Sequence, residues 1–288
     1  MTIGWIGLGH MGAPMAQRLL NRGHDVIVYN RTKSKADNFT NQGATVVDNP
    51  ADLVQKSDII FVMVSDEKAI QSILYGEHGI FSTDIQDKTF INLSTISPTE
   101  TIDIANKMIE KGATYLESPV SGSVGAAVNG QLVLLLGGDA QVIDASVDYL
   151  NILGKELIHF GDLGTGSAAK LTINLLLGIM GSALAETILL GESFGLPQDK
   201  VLSMISASGM NSPLYQGKKE MYRSEEFPSA FPLYLMEKDL GLIRDEMLSR
   251  FGSVSPLAEE VHKQYAQAKQ SGYADMDMAA IYKYLKNK

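Results

Sequence analysis

The chain has 288 residues, enough for one large domain or two of ordinary size, and 45% of them are apolar, so a true core can form. A formal net charge of −9 argues against broad binding to nucleic acid or anionic membranes and leaves any anionic ligand to a local site. The lack of cysteine removes disulfides, thiol chemistry and cysteine-rich zinc sites, and it fits a reducing, cytoplasmic setting. The N-terminus is apolar, but it has no basic start, and His10, Gln17 and Arg18 interrupt it, unlike a secretion signal.

Short β-rich runs fall at residues 2–6, 25–29, 44–47, 59–64, 89–93, 114–117, 133–136 and 156–159. Between them lie segments such as "MAQRLLNRG", "ADLVQKS" and "TIDIANKMIEKG", whose apolar residues recur at helical spacing and often end on glycine. This alternation predicts an α/β domain over 1–162, with a parallel, doubly wound sheet covered on both faces. From 164 to 195 the pattern becomes one helix of about 30 residues, roughly 45 Å long. Its stretch 171–191 is long enough to span a bilayer. Asn174, Glu186 and the preceding Lys170 favour the buried spine of a non-membrane protein instead. Beyond it come only helical segments and turns, so 163–288 reads as an all-α domain.

Residues Gly7-Leu8-Gly9-His10-Met11-Gly12 form G-x-G-x-x-G, with the strand "TIGWI" before and the helix "MAQRLLNRG" after. In that setting Gly7 permits a tight turn, Gly9 lets the backbone approach a pyrophosphate, and Gly12 lets helix and strand pack closely. The helix N-terminus adds N–H groups and partial positive charge for phosphates. Pro14 costs nothing there, because first-turn amides have no intrahelical partner. The next strand ends in "VYNRTKSK", with Asn30 and Arg31 where an NAD site usually carries an acid. Arg31, helped by Thr32 and Lys35, can pair with a 2′-phosphate, so charge favours NADP(H) over NAD(H). The plain alternative is a solvated turn in which Thr32 or Ser34 caps the following helix.

Lys170 begins the long helix, with Asn174 four residues on and on the same face. A partly desolvated lysine has a lowered pKa and suits proton transfer near neutrality. It can equally snorkel at the helix end, and spacing alone leaves both readings open. The loop "ESPVSGS" offers N–H and hydroxyl groups suited to a carboxylate, or is an ordinary loop. In "NLSTISP", Ser97 has the position of a helix cap. Lys238–Asp239, taken alone, reads as a surface pair.

Together these stretches resemble the β-hydroxyacid dehydrogenase family along the whole chain. "IGLGHMGAPMAQRL" is similar to its N-terminal signature, "PVSG" to its substrate loop, "GTGSAAKLTIN" to its catalytic helix and "KDL" to its C-terminal motif, all in order. The resemblance implies a Rossmann-type domain, an interdomain helix and an all-α domain that commonly mediates dimers or tetramers. It also implies Lys170 as acid/base, Asn174 as a substrate-orienting group, and Ser121, Gly122 and Ser123 as carboxylate ligands. Val64, Ser65 and Thr95 would line the cofactor, and Lys238 would reach its nicotinamide end. Gly122–Ser123 replaces the Gly-Gly of many members and resembles the glyoxylate/succinic semialdehyde reductases. The following "VGAAVNGQL" is closer to the hydroxyisobutyrate and tartronate semialdehyde branch, so the motifs divide on substrate.

The expected activity is NADPH-dependent reduction of a small aldehyde-acid to the hydroxy acid, without a metal. The expected partner is that small molecule, and the expected assembly a homodimer or homotetramer. The alternatives are a 3-hydroxyisobutyrate-type dehydrogenase, an imine reductase on the same fold, or a non-catalytic NADP-binding sensor.

Overall fold

The computed structural model describes residues 1–288 and divides into two compact units, Met1–Leu171 and Thr172–Lys288. The division falls inside the long helix, whose first turns are bonded to strands and helices of the first unit.

In the first unit, six strands form one parallel sheet: β1 (Ile3–Ile6), β2 (Val26–Tyr29), β3 (Thr45–Val46), β4 (Ile59–Val62), β5 (Thr89–Asn92) and β6 (Thr114–Glu117). Their order is β3-β2-β1-β4-β5-β6, so the winding direction reverses between β1 and β4. Helices α1 (Gly12–Asn21), α2 (Ser34–Thr40), α3 (Pro50–Gln55), α4 (Glu67–Tyr75) and α5 (Pro98–Glu110) are the crossovers. Each strand feeds both faces, because side chains alternate along it. Ile59 and Phe61 of β4 join one core with Met15 and Leu19 of α1. Ile60 and Val62 join the other core with Leu53 of α3, Ile73 of α4 and Ile104 of α5. A strand buried on both sides is a near-continuous apolar run, as "IIFV" is.

The last two predicted strands do not extend this sheet. They form a smaller one with a strand the sequence did not announce: β7 (Val120–Ser121), β8 (Leu132–Leu136) and β9 (Gly154–His159). β7 runs antiparallel to β8, and β8 parallel to β9. Helices α6 (Val124–Asn129) and α7 (Ala140–Leu153) connect these strands. An isolated antiparallel bridge from Glu117 to Gly137 joins the end of β6 to the residue after β8.

Helix α8 (Thr165–Ser193) leads into the second unit, with α9 (Gln198–Ala207), α10 (Pro213–Ser224), α11 (Leu233–Phe251), α12 (Pro256–Ala268) and α13 (Ile281–Lys286). Its buried positions Asn174, Ser182, Ala185 and Ile188 make one stripe, whereas Ile173, Leu176 and Leu190 are exposed. The helix is thus buried along one face, where Gly178 lies against Leu240 and Met236 of α11 and Gly181 against Tyr265 of α12. Helix α10 was not foreseen: it is polar along most of its length and holds Gly217. It forms because Ser212 caps it and Tyr215 and Tyr222 bury one side.

Candidate active site

All strands of the main sheet are parallel, so their carboxyl ends lie along one edge. The loop from Gly7 to Gly12 leaves β1 there, at the point of reversal where α/β sheets bind ligands. Gly7 has φ +101° and a Cβ would lie 2.1 Å from the Met63 carbonyl; at Gly12 it would lie 2.1 Å from the Gly7 carbonyl. Both positions are closed to any side chain. A Cβ on Gly9 would meet no atom within 4 Å, so the backbone faces open space. No side chain caps α1, which starts at Gly12. Open backbone before an uncapped helix N-terminus fits a pyrophosphate.

Asn30 ends β2 and ties the loop down. Its Oδ1 accepts from the Leu8 N–H at 2.8 Å and its Nδ2 donates to the Thr32 carbonyl at 2.9 Å. Arg31 and Thr32 follow, both exposed. Lys33 is engaged elsewhere, 2.6 Å from Asp48.

Val64 and Ser65 follow β4, and Thr95 follows β5. The Val64 N–H donates to Ser94 Oγ at 3.0 Å, and the Ser94 N–H donates to Asn92 Oδ1 at 3.0 Å. Ser94 and Asn92 are buried and fix the two strand ends together. Sequence reading did not single them out, although two polar residues closing an apolar strand were a visible signal.

Ser121 lies in β7, paired with Val133. Gly122 has φ +144°, and the exposed Ser123 caps α6 by accepting from the Ala126 N–H at 3.3 Å. Lys170, half-buried, sits in the second turn of α8. That helix starts against the carboxyl end of β6, where buried Glu117 accepts from the N–H groups of Gly166 and Ser167 at 3.0 and 2.9 Å. Burial pushes the Glu117 carboxyl above its ordinary range, and the Ser167 and Gly166 donors act in the opposite direction. Glu117 was also missed, although an acid closing the run "TYL" ahead of Pro119 was the available signal.

Asn174 and Lys238 belong to the second unit. Asn174 Nδ2 donates to Asp239 Oδ2 at 2.6 Å, and Lys238 Nζ lies 2.9 Å from Asp239 Oδ1. The surface-pair reading of Lys238–Asp239 is therefore corrected: Asp239 is 2% exposed. Its helical phase with Met236, Leu240 and Ile243, all buried, was the signal that places it inward.

Residues 2–161 match the NAD binding domain of 6-phosphogluconate dehydrogenase, and residues 164–285 match the NAD-binding domain of NADP-dependent 3-hydroxyisobutyrate dehydrogenase. Glyoxylate/succinic semialdehyde reductase 1 of Arabidopsis thaliana is 32% identical over 287 residues, spanning 99% of both chains. The chloroplastic reductase 2 of the same plant is 34% identical over 286 residues, or 99% of this chain and 80% of that one. A solved structure of Mycobacterium tuberculosis 3-hydroxyisobutyrate dehydrogenase with L-serine matches with a TM-score of 0.87 at 27% identity, covering 99% of each chain. Fold and matches together define an NAD(P)-dependent dehydrogenase. The chain belongs to the β-hydroxyacid dehydrogenase family, as a β-hydroxyacid dehydrogenase/semialdehyde reductase.

Proposed function

We propose that this chain reduces a small aldehyde-acid of the succinic semialdehyde, glyoxylate or tartronate semialdehyde type to the hydroxy acid, with NADPH as reductant. One observation carries the reading: the Gly7–Gly12 loop and the start of the helix bearing Lys170 both lie at the carboxyl edge of one parallel sheet. Gly7 to Gly12 would hold the pyrophosphate, with Val64, Ser65 and Thr95 along the cofactor and Lys238 toward its nicotinamide. Arg31 and Thr32 would hold the 2′-phosphate. Position 30 is an asparagine, its amide bonded to Leu8 and Thr32, and not the carboxylate that would accept a ribose hydroxyl and repel a phosphate.

When bound, the reduced nicotinamide supplies a hydride to the aldehyde carbon. As that carbon gains two electrons, negative charge builds on its oxygen. The Lys170 ammonium donates its proton to this oxygen and stabilises the transition state more than the neutral aldehyde. In the oxidative direction neutral Lys170 removes the hydroxyl proton. Ser121, Gly122 and Ser123 hold the substrate's carboxylate, which excludes neutral aldehydes. Asn174 orients the substrate, its amide direction set by Asp239.

The same machinery run toward oxidation is a 3-hydroxyisobutyrate-type dehydrogenase. An imine reductase is disfavoured by the lysine and by the carboxylate loop. The exposed Ile173, Leu176 and Leu190 are read as covered by a second copy, in a cytoplasmic homodimer or homotetramer. The test is a rate survey of small aldehyde-acids, hydroxy acids and cyclic imines with NADPH and NADH. Fastest turnover on an aldehyde-acid with NADPH supports the reading; fastest turnover on an imine overturns it.

A further inference from the structure

Glu117 closes β6 with 1% of its surface exposed, an expensive place for a carboxylate unless donors surround it. Besides the two backbone N–H groups of α8, the Ser167 hydroxyl donates to its Oε2 at 2.5 Å. That hydroxyl lies 2.9 Å from Thr101 Oγ1 of α5. The first turn of α8 is thus tied to β6 and α5 at once. The approach is close: a Cβ at Gly137 would sit 2.1 Å from Glu117 Oε1, and one at Gly166 would sit 2.4 Å from the Leu135 carbonyl.

The helices α3, α4, α5, α6 and α7 are capped by their own neighbours, Asn49, Asp66, Ser97, Ser123 and Asp139. Helix α8 is held instead by a residue 49 and 50 positions earlier in the chain. A local cap satisfies a helix end wherever that helix lies. A long-range one also fixes where the helix starts and how it is rotated about its axis. Lys170 follows Ser167 by three positions, so the two share a helical face. Whatever sets Ser167 therefore sets the origin of the lysine side chain.

We propose that Glu117 is a positioning residue that fixes the start and rotation of α8, and through it the reach of the Lys170 amine to the substrate oxygen. The proposal rests on Lys170 as the proton donor. Its physical content is preorganisation: a misplacement of about 1 Å costs on the order of a hundredfold in rate.

The test compares Glu117→Gln, Lys170→Ala and the double variant with glyoxylate or succinic semialdehyde and NADPH. Glutamine keeps the shape and one acceptor but turns an NH2 group toward the N–H donors of α8. The expected result is a kcat roughly ten- to a hundredfold lower in Glu117→Gln. The dissociation constant for NADPH should stay unchanged, and amide exchange should quicken at Gly166 and Ser167. In the Lys170→Ala background the second substitution should lower kcat no further, because its effect passes through the lysine. A wild-type kcat in Glu117→Gln, or losses that multiply in the double variant, would overturn the proposal. Near wild-type turnover in Lys170→Ala would overturn the donor role itself, and faster exchange in Glu117→Gln would then still report a held helix without a catalytic consequence. Should Glu117→Gln fail to fold, Ser167→Ala keeps both backbone bonds and loses only the hydroxyl. It is expected to give a smaller loss of kcat, again absent in the Lys170→Ala background; an unchanged kcat there overturns the proposal.

Discussion

Asn174 donates to Asp239 over 2.6 Å, one buried side chain to another, on helices α8 and α11. The carboxylate also faces Lys238 Nζ at 2.9 Å. A single acid thus orients an amide and restrains an ammonium, both assigned above to ligand binding. Asp239→Ala should leave the amide without its acceptor and remove one restraint on the lysine. Urea unfolding should show a loss of about 1–3 kcal/mol, and kcat/KM for the aldehyde-acid should fall. Unchanged stability would mean that the pair contributes nothing net.

The three loop glycines should separate by phenotype. Gly12→Ala drives a Cβ to 2.1 Å from the Gly7 carbonyl, so it should lower stability by about 1–3 kcal/mol. Gly9→Ala meets no protein atom within 4 Å and should unfold at the wild-type temperature. Its methyl would occupy the space assigned to pyrophosphate, so NADPH should bind roughly tenfold or more weakly. Thermal unfolding beside a fluorescence titration reads both effects. Equal NADPH affinity in Gly9→Ala would place the pyrophosphate elsewhere.

Arg31→Asp tests the coenzyme assignment. Losing a charge-assisted bond to the 2′-phosphate and adding a repelling charge should weaken NADPH by about ten- to a hundredfold, with NADH spared. Equal losses for both coenzymes would remove Arg31 from 2′-phosphate recognition.

Acid should expose a linkage in the second unit. Glu237 lies 2.8 Å from Lys269 Nζ and 3.8 Å from His262 Nε2. The neighbouring His262 imidazole, with the hydrogen-bonded Lys269 ammonium adding to it, holds its carboxyl below the ordinary 4.5 against the opposing effect of burial. A carboxylate whose folded pKa is depressed adds stability that is present above the unfolded pKa and lost as pH falls through the folded one. The stability advantage of wild type over Glu237→Gln should therefore shrink as pH drops below 4.5. An advantage that does not change with pH would show that Glu237 is not held in this way.

Much of the first unit was legible because its signals are local. "IIFV" is a short apolar run, "TFIN" has an apolar centre between two polar ends, and the glycine loop follows from φ and close approach alone. Several of the failures share a cause: partners distant in sequence. β7 is two residues long and exists through pairing with β8. Glu117 finds its donors in α8, and Asp239 finds Asn174 there; a closing acid and an inward helical phase mark their positions but not their partners. The single buried face of α8 was also out of reach, since hydropathy cannot say which side of an apolar helix has neighbours.

The most direct measurement is single-turnover reduction of an aldehyde-acid by Lys170→Ala with NADPH already bound. Removal of the proton donor should slow the step by about 10²- to 10⁴-fold, with the NADPH dissociation constant unchanged. A rate within a few-fold of wild type would contradict the account.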